Sequence, residues 1–193
     1  MKKTIIIVIV IILALIAALI KPYNNMVKKD EGCSNAWANV ENAYQRRADL
    51  IPNLVKTVQG AANYEKGTLE AVINARAKAT SVQVNADNLD ENSIAQFQKA
   101  QDELSSALSR LMVVVERYPE LKANQNFLEL QSQLEGTENR IAVARNAFNE
   151  AAKQFNVRIR RFPSNIIAGM CGFEKKAYFE AEAGANKAPE VQF

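Results

Sequence analysis

Two groups of charged residues are the first candidates for chemistry in this chain. Arg46, Arg47 and Asp49 lie close together, as do Glu138, Arg140 and Arg145. Converging carboxylates and guanidiniums can hold a polar substrate in a cleft and move its protons. They can equally hold each other and fix the register of two helices. Counted in sevens, Arg47 falls beside an apolar row of its own segment, and Glu138 and Arg145 fall beside another. Charges at those positions usually set helix pairing, so an inter-helix polar network is expected. An enzyme with a carboxylate/arginine cleft between helices is the alternative.

The other chemically active residue types give less. The chain has no histidine, which removes the commonest general base, the Ser/His and Cys/His nucleophile pairs and the usual zinc ligand. Cys33 and Cys171 are far apart, and neither sits in a C-x-x-C. Two buried thiols are expected, in preference to a disulfide. Asp90-Glu91 and Asp102-Glu103 are sequence neighbours that point around a helix, not at one centre, so solvated positions are the reading. Ser34, Ser105, Ser106, Ser109 and Ser164 lack a nucleophile-elbow context. No catalytic residue is assigned, and no cofactor or metal is expected.

A third group is basic and apolar together. Lys153, Arg158, Arg160 and Arg161 precede Phe162, Ile166, Ile167, Met170 and Phe173. That mixture suits a membrane surface. It also suits a tail folded over the open end of a core, with arginines favoured by the dipole of a helix C-terminus. The folded tail is the preferred reading. Arg158, Arg160, Arg161, Phe162, Ile166 and Ile167 remain the candidate membrane patch.

The elements that would position these groups are helices. Apolar residues make up 48% of the 193, and there are only 7 Gly and 5 Pro. A core can form, and turn residues are too sparse for an all-β chain. Lys2 and Lys3 account for two of the three net positive charges, leaving +1 on the rest. So neutral a domain is a poor nucleic-acid binder, and no nucleic-acid partner is expected.

Ile5 to Ile20 is an unbroken apolar run with Lys21 after it. As a helix, Thr4 to Tyr23 spans roughly 30 Å, the thickness of a hydrocarbon core. The exit Leu19-Ile20-Lys21-Pro22 is no small-x-small cleavage site, which favours a retained anchor over a signal peptide. The lipid bilayer is thus the first partner, met through Ile5 to Ile20. Lys2 and Lys3 form a short basic N-terminal tail. Its retention inside would place the remainder of a single-pass protein outside the cytoplasm.

Beyond the anchor, apolar residues return every seventh position. Trp37, Tyr44, Ile51 and Val58 form one row, beside Ala48, Val55, Ala62 and Leu69. Phe97, Leu104, Leu111 and Tyr118 form another, flanked by Ile94, Leu108 and Val115. Phe127, Leu134, Ile141, Phe148, Phe155 and Phe162 keep a third, read as core, beside Leu130, Thr137, Ala144 and Ala151. Such stripes need other helices to cover them. Asn85 to Asn92 is a polar break, and Ser93 with Gln96 reads as a capping box. Tyr118-Pro119 and Pro163 read as helix stops. Pro52 lies inside an uninterrupted row and reads as a kink, which puts the first turn in Asn63-Tyr64-Glu65-Lys66-Gly67.

The expected map has helices at about 26–63, 68–82, 93–117 and 125–161. The fold class is all-α: a transmembrane helix, then an up-and-down four-helix bundle with long first and last helices. Anchor, bundle and tail divide at 1–23, 24–162 and 163–193, the tail docking in part and disordered at its end.

Several stretches carry a family resemblance. They are Asn35-Ala36-Trp37-Ala38-Asn39-Val40-Glu41-Asn42, Arg46-Arg47-Ala48-Asp49-Leu50-Ile51-Pro52-Asn53-Leu54-Val55, Glu135-Gly136-Thr137-Glu138-Asn139-Arg140-Ile141-Ala142-Val143-Ala144-Arg145 and Phe162-Pro163-Ser164-Asn165-Ile166-Ile167-Ala168-Gly169. The chain resembles the LemA family of bacterial membrane proteins over roughly Cys33 to Glu182, in register, with the preceding anchor. The resemblance implies a single anchor and a four-helix bundle in a bacterial cell membrane. It brings no established catalytic residue. Family members often have His before the Glu that corresponds to Glu65, and here Tyr64 stands in its place, so a role for that imidazole does not transfer. A scaffold that presents helix faces to a protein partner is the expected function, and pairing between copies as a homo-oligomer is a further reading.

Overall fold

The computed structural model describes residues 2–60, 66–86 and 88–180; within the first helix the side chains of residues 2, 8, 11, 12, 14–16 and 18 lie outside the description. Among the described residues six helices follow one another: α1 (Lys2–Gln59), α2 (Lys66–Ser81), α3 (Glu91–Val115), α4 (Pro119–Lys122), α5 (Gln125–Arg160) and α6 (Ser164–Cys171). Among the described residues there is no strand, and the all-α class holds.

The two longest helices make the largest interface, α1 against α5. They run antiparallel, since Lys29 reaches Gln154 while Arg47 reaches Glu138. α2 and α3 form a shorter antiparallel hairpin, with Lys78 Nζ 2.6 Å from Glu103 Oε2. The seven-residue rows face inward as expected: Trp37, Tyr44, Ile51, Val58, Phe97, Leu104, Leu111, Phe127, Leu134, Ile141, Phe148 and Phe155 are all buried. Each burial of this kind stabilises by about 1.5–3 kcal/mol.

α1 is continuous through Pro22 and Pro52. A proline inside a helix lacks the N–H that would bond the carbonyl four residues earlier. For Pro52 that carbonyl belongs to Ala48, and it accepts a 2.7 Å hydrogen bond from Arg76 Nε on α2. The proline thus supplies the acceptor by which the second helix grips the first.

Several boundaries differ from the sequence reading. α1 ends at Gln59, with Gly60 in the turn. The expected turn residues Asn63, Tyr64 and Glu65 lie outside the described residues, as does Ala62 of the second row, and Lys66 and Gly67 are already helical. α3 starts at Glu91, earlier than the Ser93 box. Its cap is Asp90, whose Oδ1 accepts from Ser93 N at 2.7 Å. That backbone hydrogen bond holds the Asp90 carboxyl below its usual pKa. Pro119 does not merely stop α3; it opens the single turn of α4. Likewise Pro163 is followed by α6, a helix absent from the expected four. Seven-residue spacing puts Phe162 in the core row, yet it is 81% exposed. The reason is local: α5 ends at Arg160, so the register no longer applies two residues later.

The run Ile5 to Ile20 is helical backbone within α1. Many of its side chains lie outside the described set, and among the described residues no helix is long and apolar enough to cross a membrane.

Candidate functional site

The expected network gathers on one residue. Arg47 is only 1% exposed and sits midway along the α1/α5 pair. Its Nη1 donates to Glu138 Oε1 on α5 at 2.8 Å and to Ser105 Oγ on α3 at 2.7 Å. Its Nη2 donates to the side chain and backbone oxygens of Gln101 on α3, at 2.8 and 3.1 Å. Gln101 Nε2 passes the connection to Ala79 O on α2 at 3.3 Å. The guanidinium also lies 5.0 Å from the centroid of the Tyr44 ring. A planar fork with five donors suits this role, and a lysine could not fill it. One buried cation therefore ties α1, α3 and α5 directly and α2 through Gln101. Burial beside this hub raises the Tyr44 hydroxyl above its usual pKa, against the opposing pull of Arg145 and Arg47.

The remaining members of the expected network separate. Asp49 accepts from Gln45 Nε2 at 2.7 Å on the surface of α1. Arg46 and Arg140 line a different groove, of about 660 Å³, on the outer side of α1 and α5. Ala43, Val143, Ala144 and Ala147 form its apolar floor. Neighbours in a helix point in different directions, which is why Arg46 and Arg47 part company. Arg145 turns to the C-terminal segment: its Nη2 donates to Glu180 O at 2.7 Å, and its guanidinium lies 4.9 Å from the Phe179 ring centroid.

That segment, residues 172–180, is a clasp that the sequence reading missed in detail. Asn156 Nδ2 donates to Lys176 O at 2.8 Å, and Lys176 N donates to Asn156 Oδ1 at 2.9 Å. Asn149 repeats the pattern with Phe179 at 3.0 and 2.9 Å. The two asparagines are seven residues apart on α5, each directly after a buried phenylalanine, Phe148 and Phe155. That repeat was the available signal. The clasp also pairs Lys176 Nζ with Asp30 Oδ1 at 3.0 Å, and Ala177 N bonds Leu89 O at 2.9 Å. Phe179 is buried, stacked on Trp37 at 5.8 Å and edge-on to Phe148 at 5.6 Å.

The candidate patch at the end of α5 divides. Ile167 is buried with Met26, Phe155 and Ile159, so it belongs to the core. It lies on the face of α6 that packs on α1 and α5, one helical step from outward-facing Ile166. Arg158 is half-buried. Arg160, Arg161, Phe162 and Ile166 are exposed, and Met170 joins them.

The thiols are not alike. Cys33 is buried, and burial with nearby Asp30 pushes it up to about 11. Cys171, expected to be buried, is exposed at the last turn of α6. No group of three or more Cys, Asp and Glu arranged to hold a metal occurs among the described residues.

A long antiparallel helix pair, a shorter hairpin and a buried arginine joining them define a helical-bundle protein. The sequence pattern of the LemA family matches residues 36–193, and the chain belongs to that family. It is 28% identical to Magnetosome protein MamQ 2 of Paramagnetospirillum magneticum, over 90% of this chain and 70% of the relative. It is 29% identical to Magnetosome protein MamQ of Magnetospirillum gryphiswaldense, over 89% and 70%. Protein LemA of Metamycoplasma hominis is 25% identical, over 82% and 68%.

Proposed function

We propose that this chain is a membrane-tethered scaffold. The run Ile5 to Ile20 crosses the bilayer once, and an up-and-down four-helix bundle stands on it outside the cytoplasm, offering helix faces to a protein partner. The observation that carries this reading is how the candidate cations are used. Arg47 is consumed by the frame and Arg145 by the clasp, whereas Arg46 and Arg140 flank an open, apolar groove. A shallow apolar floor with a guanidinium on each bank fits a helix or extended peptide with acidic edges better than it fits a reacting small molecule. The length and hydropathy of the N-terminal run support the span.

The test is affinity capture of the tagged full-length protein from its own membranes, alongside Val143→Glu. The wild type should retain a stoichiometric protein neighbour that the variant loses, while both resist carbonate extraction. Equal capture by both would remove the groove from the proposal, and turnover of a small molecule abolished by Arg140→Ala would replace the scaffold with an enzyme. A C-terminal tag cleaved by protease on intact cells is the expected result for the orientation, and protection of the tag would reverse it.

A further inference from the structure

We infer that α6 and the turn before it form a second membrane contact, in which Phe162, Ile166 and Met170 enter the headgroup layer of an anionic bilayer while Arg160 and Arg161 meet lipid phosphates. This rests on the reading of Ile5 to Ile20 as a span.

α6 has two faces with opposite fates. Ile167 and Ala168 pack on Met26, Phe155 and Ile159, which fixes the helix against α1 and α5. Covering the open end of the core accounts for that face. It does not account for Phe162 and Met170, each 81% exposed, or for Ile166 at 55%. Ile166 and Met170, four residues apart, share the outer face of α6, and Phe162 is exposed in the turn that leads into it. Single exposed apolar residues are ordinary, but a contiguous group with a basic border marks a binding surface.

Position on the chain selects lipid as the occupant. Met26, against which α6 packs, lies six residues beyond Ile20, roughly 9 Å along a helix. Tyr23 is closer still, and its ring lies 5.9 Å from that of Phe173, just beyond α6. The outer face of α6 is therefore held at the level where an apolar run leaves the bilayer. The apolar face of an interfacial helix enters that layer. Lys21, Arg160 and Arg161 are exposed around it, and a cluster of cations beside a bilayer draws acidic lipid. The contact would fix the tilt of the bundle on a stem that could otherwise swivel.

The test uses the full-length chain in vesicles of equal parts phosphatidylcholine and phosphatidylglycerol. A nitroxide is placed at Ile166→Cys or Val113→Cys, each with Cys171→Ser. Val113 is exposed near the end of α3 that packs far from the apolar run. At position 166 the label should meet oxygen several-fold more often than it meets a polar nickel chelate, and at 113 the order should reverse. Adding Phe162→Asp and Met170→Asp should make position 166 water-like, while the chain still resists carbonate extraction. These substitutions fall on exposed side chains and leave the packed face of α6 intact. A water-like label at 166 in the unaltered patch, with extraction still resisted, would overturn the second contact and leave the stem standing. Spin–spin broadening at 166 that disappears on dilution with unlabelled chain would show a second copy on the patch and would also overturn it. Release by carbonate would overturn the stem and this inference with it.

Discussion

Around Leu111 and Val58 the chain closes its core with side chains that are aliphatic apart from Phe127 and the flanking Tyr118; around Trp37 it uses mainly rings, and one of them, Phe179, arrives from the C-terminal segment. The ring-lined half lies where α3 begins, and a third cluster lies beyond it. α1 and α5 continue toward the N-terminal apolar run after α2 and α3 have ended. At the α-helical rise α3 is roughly 37 Å long and α5 roughly 54 Å. The overhang of the long pair carries Met26, Cys33, Phe155 and Ile159, which would face water without another cover. α6 and the clasp supply it. A bundle made of unequal helices thus needs a further wall at one end, and the extended part of that wall is pinned by asparagines because such a segment has unpaired backbone groups.

The contrast can be broken most severely at its hinge. Arg47 lies between Tyr44 of the ring-rich half and Ile51 of the aliphatic half. Arg47→Ala should cost about 3 kcal/mol, from a void and from stranded partners in Gln101 and Ser105. Chemical denaturation of the full-length protein in detergent, followed by circular dichroism, reads it; a change within error would remove the hub. Glu138→Ala should cost less, since that carboxylate is 48% exposed and the other arginine bonds persist. Asn156→Ala removes three clasp hydrogen bonds, two with the Lys176 backbone and one to the Tyr178 hydroxyl, and should cost about 2 kcal/mol, visible as brighter or shifted Trp37 emission before global unfolding. Arg76→Ala should cost about 1 kcal/mol and leave Trp37 emission unchanged, because it frees α2 from Ala48 without touching the clasp.

The thiols sharpen the same comparison without altering it. At pH 8 the folded chain should take one maleimide, on Cys171, and a second only after denaturation. Burial raises Cys33 from 9.0 to about 11, so the folded state favours its neutral form. That contribution to stability is complete below pH 9 and is lost as pH rises through about 11. Cys33→Ser should flatten this alkaline fall; an unchanged fall would assign it to another group.

Much of the frame was legible because seven-residue spacing is a property of helices that must hide one side. Arg47 and Glu138 could be found from their places beside those rows. Their neighbours could not be separated, since Arg46, Asp49, Arg140 and Arg145 differ from them in helical angle by amounts that only the true packing angle resolves. The proline at 52 was readable as internal, but its partner Arg76 was not, because nothing in a sequence tells which side chain reaches a freed carbonyl. The opposite fates of Phe162, expected in the core row, and Ile167, a member of the candidate membrane patch, have one reason. A proline stop gives the end of one helix, not the direction of the next, and α6 turns Ile167 inward while Phe162 stays out. The clasp was legible only as a tail that docks in part, without its path or partners. Extended segments have no period of their own, and only the repeated asparagines on α5 hinted that one was held there.

Hydrogen exchange on the full-length protein in lipid nanodiscs, wild type beside Phe179→Ala, tests most directly whether the two halves are closed by different means. Loss of the ring removes buried apolar surface worth about 3 kcal/mol. Amides around Trp37, Phe97 and Phe148 should exchange faster, while those around Val58, Leu111 and Leu134 keep their protection. Equal acceleration in both halves, or none in either, would contradict a ring-lined half that depends on its C-terminal wall.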